Sequence, residues 1–90
     1  MINQDNEILA ILQEECAEVI QAVSKINRFG YTSINPRDYK NNRQHLEEEI
    51  GDLICMVQLL IEHKIVDSGS VDEAALNKRA KLKKWSGIFN

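Results

Sequence analysis

Four acidic side chains occur as two pairs with the same spacing. Glu15 and Glu18 form one pair, and Glu49 and Asp52 form the other. On an α-helix, residues three positions apart are neighbours on one face. Two such pairs on facing helices would bring four carboxylates together, and carboxylate oxygens are the ligands that Mg²⁺ and Mn²⁺ prefer. The chemistry that this pattern predicts is the binding of a hard divalent cation.

Each acidic pair lies in or beside an apolar stripe of its helix. At about 100° per residue, Glu15 falls about 20° from Ile8, in the middle of the first stripe. Glu49 falls on the apolar side of the second helix, and Glu18 and Asp52 lie at the stripe edges. An unpaired buried charge costs several kcal/mol, so acids in such positions are paired with cations or bind metal.

Ordinary salt bridges at the stripe edges are the competing explanation. The stripes contain no Arg, and Lys64 lies well down the second helix from Glu49, so a bound cation is the simpler way to neutralise the acids. Gly51, between Glu49 and Asp52, costs the helix about 0.5–1 kcal/mol relative to Ala. The approach of a ligand and the close packing of another helix explain this glycine equally well.

Two long helices are predicted to position the acids. Apolar residues at i, i+3, i+4 and i+7 predict an amphipathic helix over about 5–29, and Gly30 fits its stop. The same pattern predicts a second helix over about 42–64. Residues 30–41 contain the only Pro and several turn-forming residues, so they are predicted to be a loop. This loop is long for a helix hairpin, and long loops are often functional.

A shorter third helix is predicted at the C-terminal end. The stretch "DSGS" at 67–70 reads as a turn, and Ser70 then opens an S-x-x-E capping box for a helix over about 71–85. The fold class is therefore all-α: a bundle of two long antiparallel helices plus a shorter C-terminal helix. A chain of 90 residues buries only a modest fraction of its surface, so we expect oligomerisation to complete the bundle.

Composition narrows the class of protein. The length suits one domain over 1–90, and the net charge of −3 argues against a dedicated nucleic-acid binder. No apolar run approaches a membrane span, and the segment "MINQDNEILA" lacks a signal-peptide pattern, so a cytoplasmic location is expected. Cys16 and Cys55 lie in apolar helical patterns and are expected to be reduced and buried.

The stretch "EECAEVIQAVSK", followed by "EEEIGDLICMV", resembles the MazG-like family of all-α nucleoside triphosphate pyrophosphohydrolases. The signature of that family is E-x-x-E on one helix and E-x-x-D on the next. The two acidic pairs described above match these two motifs. The flanking "SKINRFG" and the late "KRAKLKKW" also resemble small, often phage-type, members, so the resemblance covers about residues 7–85.

One departure from the family pattern lies between the motifs. Thirty residues separate Glu18 from Glu49, slightly more than the usual interval, and the excess falls in the loop 30–41. This departure bears on substrate preference more than on the metal site, because the helices around both motifs are intact.

The resemblance implies a specific reaction. Water would attack the α–β phosphoanhydride of an NTP or dNTP, giving a nucleoside monophosphate and pyrophosphate, in the service of nucleotide-pool control. The four acids would bind Mg²⁺, with Mn²⁺ as a possible substitute, and Glu15 or Glu18 would polarise the attacking water. Self-association as a dimer, or as a tetramer built from two dimers, is also implied.

Phosphates also require cations, and aromatic rings can stack on a base. The candidate phosphate ligands are Lys25, Lys78, Lys81 and Lys84. The last three repeat along the third helix, where a solvated basic face that complements the helix dipole explains them as well. The candidate stacking rings are Phe29, Tyr31, Tyr39 and Trp85, each of which could instead be a packing residue.

Two other functions compete with this one. A di-iron carboxylate bundle uses Glu-x-x-His, but neither His45 nor His63 has a Glu three residues before it. A non-enzymatic helical interaction or regulatory module is the stronger alternative, and its buried acids would need Lys or Arg partners.

Overall fold

The computed structural model describes residues 3–90, which form three α-helices. Helix α1 is Gln4–Phe29, α2 is Asn42–Glu62 and α3 is Ser68–Trp85. Within the described residues no strand forms, and a single isolated bridge joins Ile34 to Asn41. The all-α prediction is confirmed, with two long helices and a shorter C-terminal one.

Helices α1 and α2 pack antiparallel as a hairpin, which we take to include the loop between them. Asp5 near the start of α1 lies 3.8 Å (Oδ1 to Nδ1) from His63 at the end of α2. The core of the hairpin contains Ile8, Met56 and Leu60, each less than a tenth exposed. Ile11, Leu12, Leu59, Ile65 and Val66 pack against this core. The apolar stripes of the two helices therefore face each other.

The loop 30–41 is fixed to the first turn of α2 by hydrogen bonds. The amide Nδ2 of Asn42, a buried residue, donates to the Gly30 carbonyl at 2.9 Å. The backbone N–H of Asn42 donates to the Ser33 carbonyl, and that of Arg43 to the Tyr31 carbonyl, both at 3.1 Å. Since backbone groups along the loop have partners on α2, the loop has a defined conformation.

Each helix begins at an Asn or Asp whose side chain accepts a backbone N–H three residues later. The N-cap residues are Asn3, Asn41 and Asp67. The predicted start of the third helix near residue 71 is therefore wrong, because α3 begins at Ser68. Asp67 Oδ2 accepts from both the backbone N–H (2.9 Å) and the hydroxyl (3.1 Å) of Ser70, so "DSGS" is a cap and first turn.

Helix α3 is barely attached to the hairpin. None of its residues is buried, and α1 and α2 are the only helices with an extensive mutual interface within the described part of the chain. The accessible surface is 7261 Å², against about 5,400 Å² for a compact monomer of this mass. The radius of gyration is 16.1 Å, against about 12 Å for a compact chain of this length.

The cysteines differ from the prediction. Cys16 and Cys55 are free thiols, as expected, but both are exposed. No helix that these residues form combines the length and apolarity that a membrane crossing requires.

Candidate metal centre

The antiparallel hairpin brings three of the four predicted acids together. Glu15 comes from α1, and Glu49 and Asp52 come from successive turns of α2. One carboxylate oxygen of each residue lies within 4.8 Å of the others. Glu15 and Glu49 are half-buried and Asp52 is exposed. We call these three residues the acid cluster.

The carboxylates of the acid cluster repel one another. Partial burial raises the pKa of Glu49 above 4.5, and the negative charges around it, with Glu18 first, raise it further. Partial burial also raises the pKa of Glu15, followed by the charge of Asp52. A positive charge placed among these oxygens would relieve both effects.

Glu18 lies just outside the acid cluster. Its side chain is exposed, yet its charge raises the pKa of Glu49 more than any other single charge does. The structure therefore brings three predicted ligands within range of one small ion and keeps the fourth close to Glu49. The role of all four as metal ligands stays a prediction.

No cation within residues 3–90 neutralises these acids. The contacts there between acidic and basic side chains join Lys40 to Glu48, His45 to Asp38, and His63 to Asp5. The competing explanation by salt bridges therefore fails within the described residues. An all-carboxylate set with mutual repulsion fits a hard divalent ion such as Mg²⁺ or Mn²⁺.

The predicted phosphate ligands do not converge on the acid cluster within one chain. Lys25 is exposed on α1, two helical turns beyond Glu18. Lys78, Lys81 and Lys84 are exposed on α3, which has no extensive interface with the hairpin. A contact between these three lysines and the acids requires another copy of the chain or a different placement of α3.

Gly51 lies beside open space. A Cβ atom built at this position has no heavy atom within 4 Å. Close packing of another helix within residues 3–90 therefore does not explain this glycine. The surface between Glu49 and Asp52 is accessible to a ligand or to another chain.

Two polar contacts near the acid cluster are not predicted by the sequence pattern. Asp38 Oδ2 lies 3.2 Å from His45 Nε2, and Lys40 pairs with Glu48. The backbone N–H of Lys40 and then the charge of His45 lower the pKa of Asp38. Both contacts end on the α2 turn before Glu49. No periodic pattern relates loop residues to helix residues, so only the length of the loop signalled them.

The family assignment rests on nearly the whole chain. The family model of the MazG nucleotide pyrophosphohydrolase domain matches residues 3–85. No curated protein and no solved structure matches the chain. The matched range contains both acidic motifs, all three helices and the loop between α1 and α2. The chain therefore belongs to the MazG family of nucleotide pyrophosphohydrolases.

Proposed function

We propose that this protein is a Mg²⁺-dependent pyrophosphohydrolase that converts an NTP or dNTP into the nucleoside monophosphate and pyrophosphate. One observation carries the proposal within the MazG family. Three carboxylates from two helices lie within 4.8 Å of one another, and no cation in the described part of the chain neutralises them. Such a set would hold a divalent ion, to which the phosphates of the substrate would bind.

The acids of the site would have two roles, which are binding of the ion and acceptance of a proton from water. Glu49 and Asp52, one turn apart on α2, and Glu15 on α1 would hold the ion between the two helices. When bound, the ion neutralises phosphate charge and lowers the pKa of a bound water. Glu15 or Glu18 would accept the proton of the attacking water, because both lie on α1, across from the α2 ligands.

The proposal includes self-association, as a dimer or as a tetramer. Relative to a compact monomer, the chain exposes roughly 1,900 Å² of additional surface. A standard protein interface buries about 800 Å² per partner, so this surplus is large enough for two such contacts. Association would also allow Lys78, Lys81 and Lys84 of one copy to approach the acid cluster of another. A cytoplasmic setting suits a nucleotide substrate.

The decisive experiment is a screen of NTPs and dNTPs with detection of released pyrophosphate in the presence of Mg²⁺. Glu49→Gln removes a predicted ligand and should lower kcat/KM by at least about 100-fold, the usual effect of losing one strong catalytic interaction. Glu47→Gln makes the same chemical change at an exposed neighbour and should leave the rate near that of the wild type.

Two results would contradict the proposal. Equal pyrophosphate release from wild type and Glu49→Gln would exclude Glu49 as a ligand. Absence of release from every nucleotide would favour the non-enzymatic interaction module. In that case the acids should find Lys or Arg partners on another protein, and Mg²⁺ should have no effect on the melting temperature.

A further inference from the structure

The loop end of the hairpin has a surface unlike the rest of the chain. We define the basic loop end as residues 28–43. It contains four basic residues and one acidic residue, whereas the whole chain has a net charge of −3. The basic loop end therefore attracts anions, while the middle of the hairpin requires a metal ion to do so.

Aromatic rings are exposed on this same surface. The exposed fractions are 60% for Phe29, 54% for Tyr31 and 81% for Tyr39. The guanidinium of Arg28 lies 4.9 Å from the centre of the Phe29 ring, and that of Arg43 lies 5.3 Å from the centre of the Tyr31 ring. Tyr39 has no such partner among the described residues. Aromatic faces next to basic side chains are the surface on which nucleobases stack.

The backbone at Tyr39 is strained. Its φ is 60°, in the left-handed region where a bulky side chain is uncommon. The Tyr39 N–H donates to the Asn35 carbonyl at 2.9 Å, and the Asn35 N–H donates to the Lys40 carbonyl at 2.9 Å. These bonds fix the backbone that carries the exposed ring, so a ligand that stacks on the ring does not have to order the loop first.

The basic loop end is tied to the acid cluster through α2. Asp38 contacts His45, which lies one turn before Glu49 on α2. Lys40 pairs with Glu48, which directly precedes Glu49 in the sequence. Along the helix axis, Glu49 lies about 10 Å from the first residue of α2. An extended nucleotide with its phosphates at the acid cluster therefore reaches the basic loop end with its base.

We infer that Tyr39 is a substrate-binding residue that stacks on the nucleobase of the nucleotide whose phosphates lie at the acid cluster. This inference rests on the proposed pyrophosphohydrolase function. It makes the loop 30–41 the element that selects the base. Asp38 and Lys40 are then positioning residues that fix this loop to the helix carrying Glu49. Trp85 is exposed to a similar degree, 78%, but it lies on α3, away from the hairpin.

The test compares three variants of the full chain by steady-state kinetics of pyrophosphate release. Tyr39→Asn removes the ring and keeps a residue that tolerates the left-handed backbone. Tyr39→Phe retains the ring. Trp85→Asn is the matched control, since it removes the other highly exposed ring. Melting temperatures verify the folding of each variant, and Tyr39→Gly replaces Tyr39→Asn if the latter does not fold.

Stacking on one base contributes enough affinity to predict a rise in KM of about 5- to 150-fold for Tyr39→Asn. Its kcat should stay near that of the wild type, and Tyr39→Phe and Trp85→Asn should keep the wild-type KM. Inorganic tripolyphosphate, which has no base, is the second probe. Its inhibition constant with Mg²⁺ should be the same for wild type and Tyr39→Asn.

Each other outcome overturns the inference. An unchanged KM in Tyr39→Asn excludes stacking, and a rise with Trp85→Asn alone transfers the role to α3. Equal weakening of nucleotide and tripolyphosphate means that the loop binds phosphate and not the base. These results leave the proposed function intact if the wild type is active. A wild type that releases no pyrophosphate refutes the proposed function itself, and the inference with it.

Discussion

The α1–α2 hairpin and helix α3 are opposites in both burial and charge. The hairpin contains the buried core of Ile8, Met56 and Leu60, whereas α3 buries no residue. Helix α1 has five acidic and two basic residues, whereas α3 has five basic and two acidic ones. The difference shows that the hairpin is held by its own contacts. Helix α3 buries none of its residues and has no extensive interface with the hairpin, so little in the described part of the chain supports it.

The largest difference in stability should appear when the same Leu→Ala substitution is made once in the hairpin and once in α3. Leu60 is 6% exposed and Leu76 is 69% exposed. Leu60→Ala should lower the free energy of unfolding by about 2–5 kcal/mol, because it leaves a cavity in the core. Leu76→Ala should cost less than about 0.5 kcal/mol in dilute, monomeric protein. Urea unfolding monitored by circular dichroism measures both values.

Protein concentration provides the control for this pair. If copies of the chain cover α3, the cost of Leu76→Ala should increase with concentration, while that of Leu60→Ala should not. Equal costs in dilute protein would mean that α3 packs on the hairpin, and the contrast between the two regions would be wrong.

Metal and pH should act on the hairpin alone. The pKa values of Glu15 and Glu49 are raised in the folded protein, so their protonation favours folding. Without metal, their stabilising contribution has its full value below pH 4.5, the ordinary pKa of the group. It decreases as the pH rises through the raised pKa values of the folded protein. Mg²⁺ competes with these protons, so its stabilisation should grow with pH. It should reach about 2.7 kcal/mol near neutrality at 100 times Kd. Thermal melts with EDTA or Mg²⁺ measure the difference.

In the same melting experiment, one variant in the hairpin and one in α3 show which region responds to Mg²⁺. Glu49→Gln should raise the metal-free melting temperature near neutrality and abolish most of the Mg²⁺ effect. Glu73→Gln, on α3, should leave the Mg²⁺ effect unchanged. A metal-free melting temperature that falls with Glu49→Gln would show that the acid has a favourable partner, contrary to the repulsion described above.

The smallest effect concerns the helix caps. Asp67→Ala removes the side chain that accepts two hydrogen bonds from Ser70, and caps contribute about 1 kcal/mol. Because α3 has little tertiary support, its first turn should fray without unfolding the hairpin. Amide hydrogen exchange should therefore be faster near the start of α3 and unchanged at Met56. Asn41→Ala, which removes the cap of α2, should instead lower the stability of the whole hairpin. Equal protection of α3 with and without Asp67 would contradict this difference.

The sequence predicted the parts of the molecule that follow from periodicity. Both long helices lie within two residues of their expected ends, because apolar spacing and Gly30 mark them. The same periodicity placed Glu15, Glu49 and Asp52 on facing stripes, and their carboxylates converge. The predicted antiparallel pairing of the two helices is also present, although the loop 30–41 that joins them is long for a helix hairpin.

Other features depend on information that periodicity lacks. Asp67 and Ser70 are both good N-caps, and only the geometry shows that Asp67 is the one used. Cys16 and Cys55 were expected to be buried, but each long helix covers only one face of the other. The pairing of Asp38 with His45 joins a loop to a helix, and no residue spacing specifies such a contact.

The side-chain caps at Asn3, Asn41 and Asp67 have a consequence for how fast this protein folds. Each fixes the start of its helix through a hydrogen bond to a residue three positions away, so the helices can form before any distant contact exists. Relaxation of such local helices takes about 0.1–1 μs, and closure of a loop of about ten residues takes about 10–100 ns. The hairpin should therefore collapse quickly, and if the chains associate as proposed, their encounter should be a slower, concentration-dependent phase of refolding.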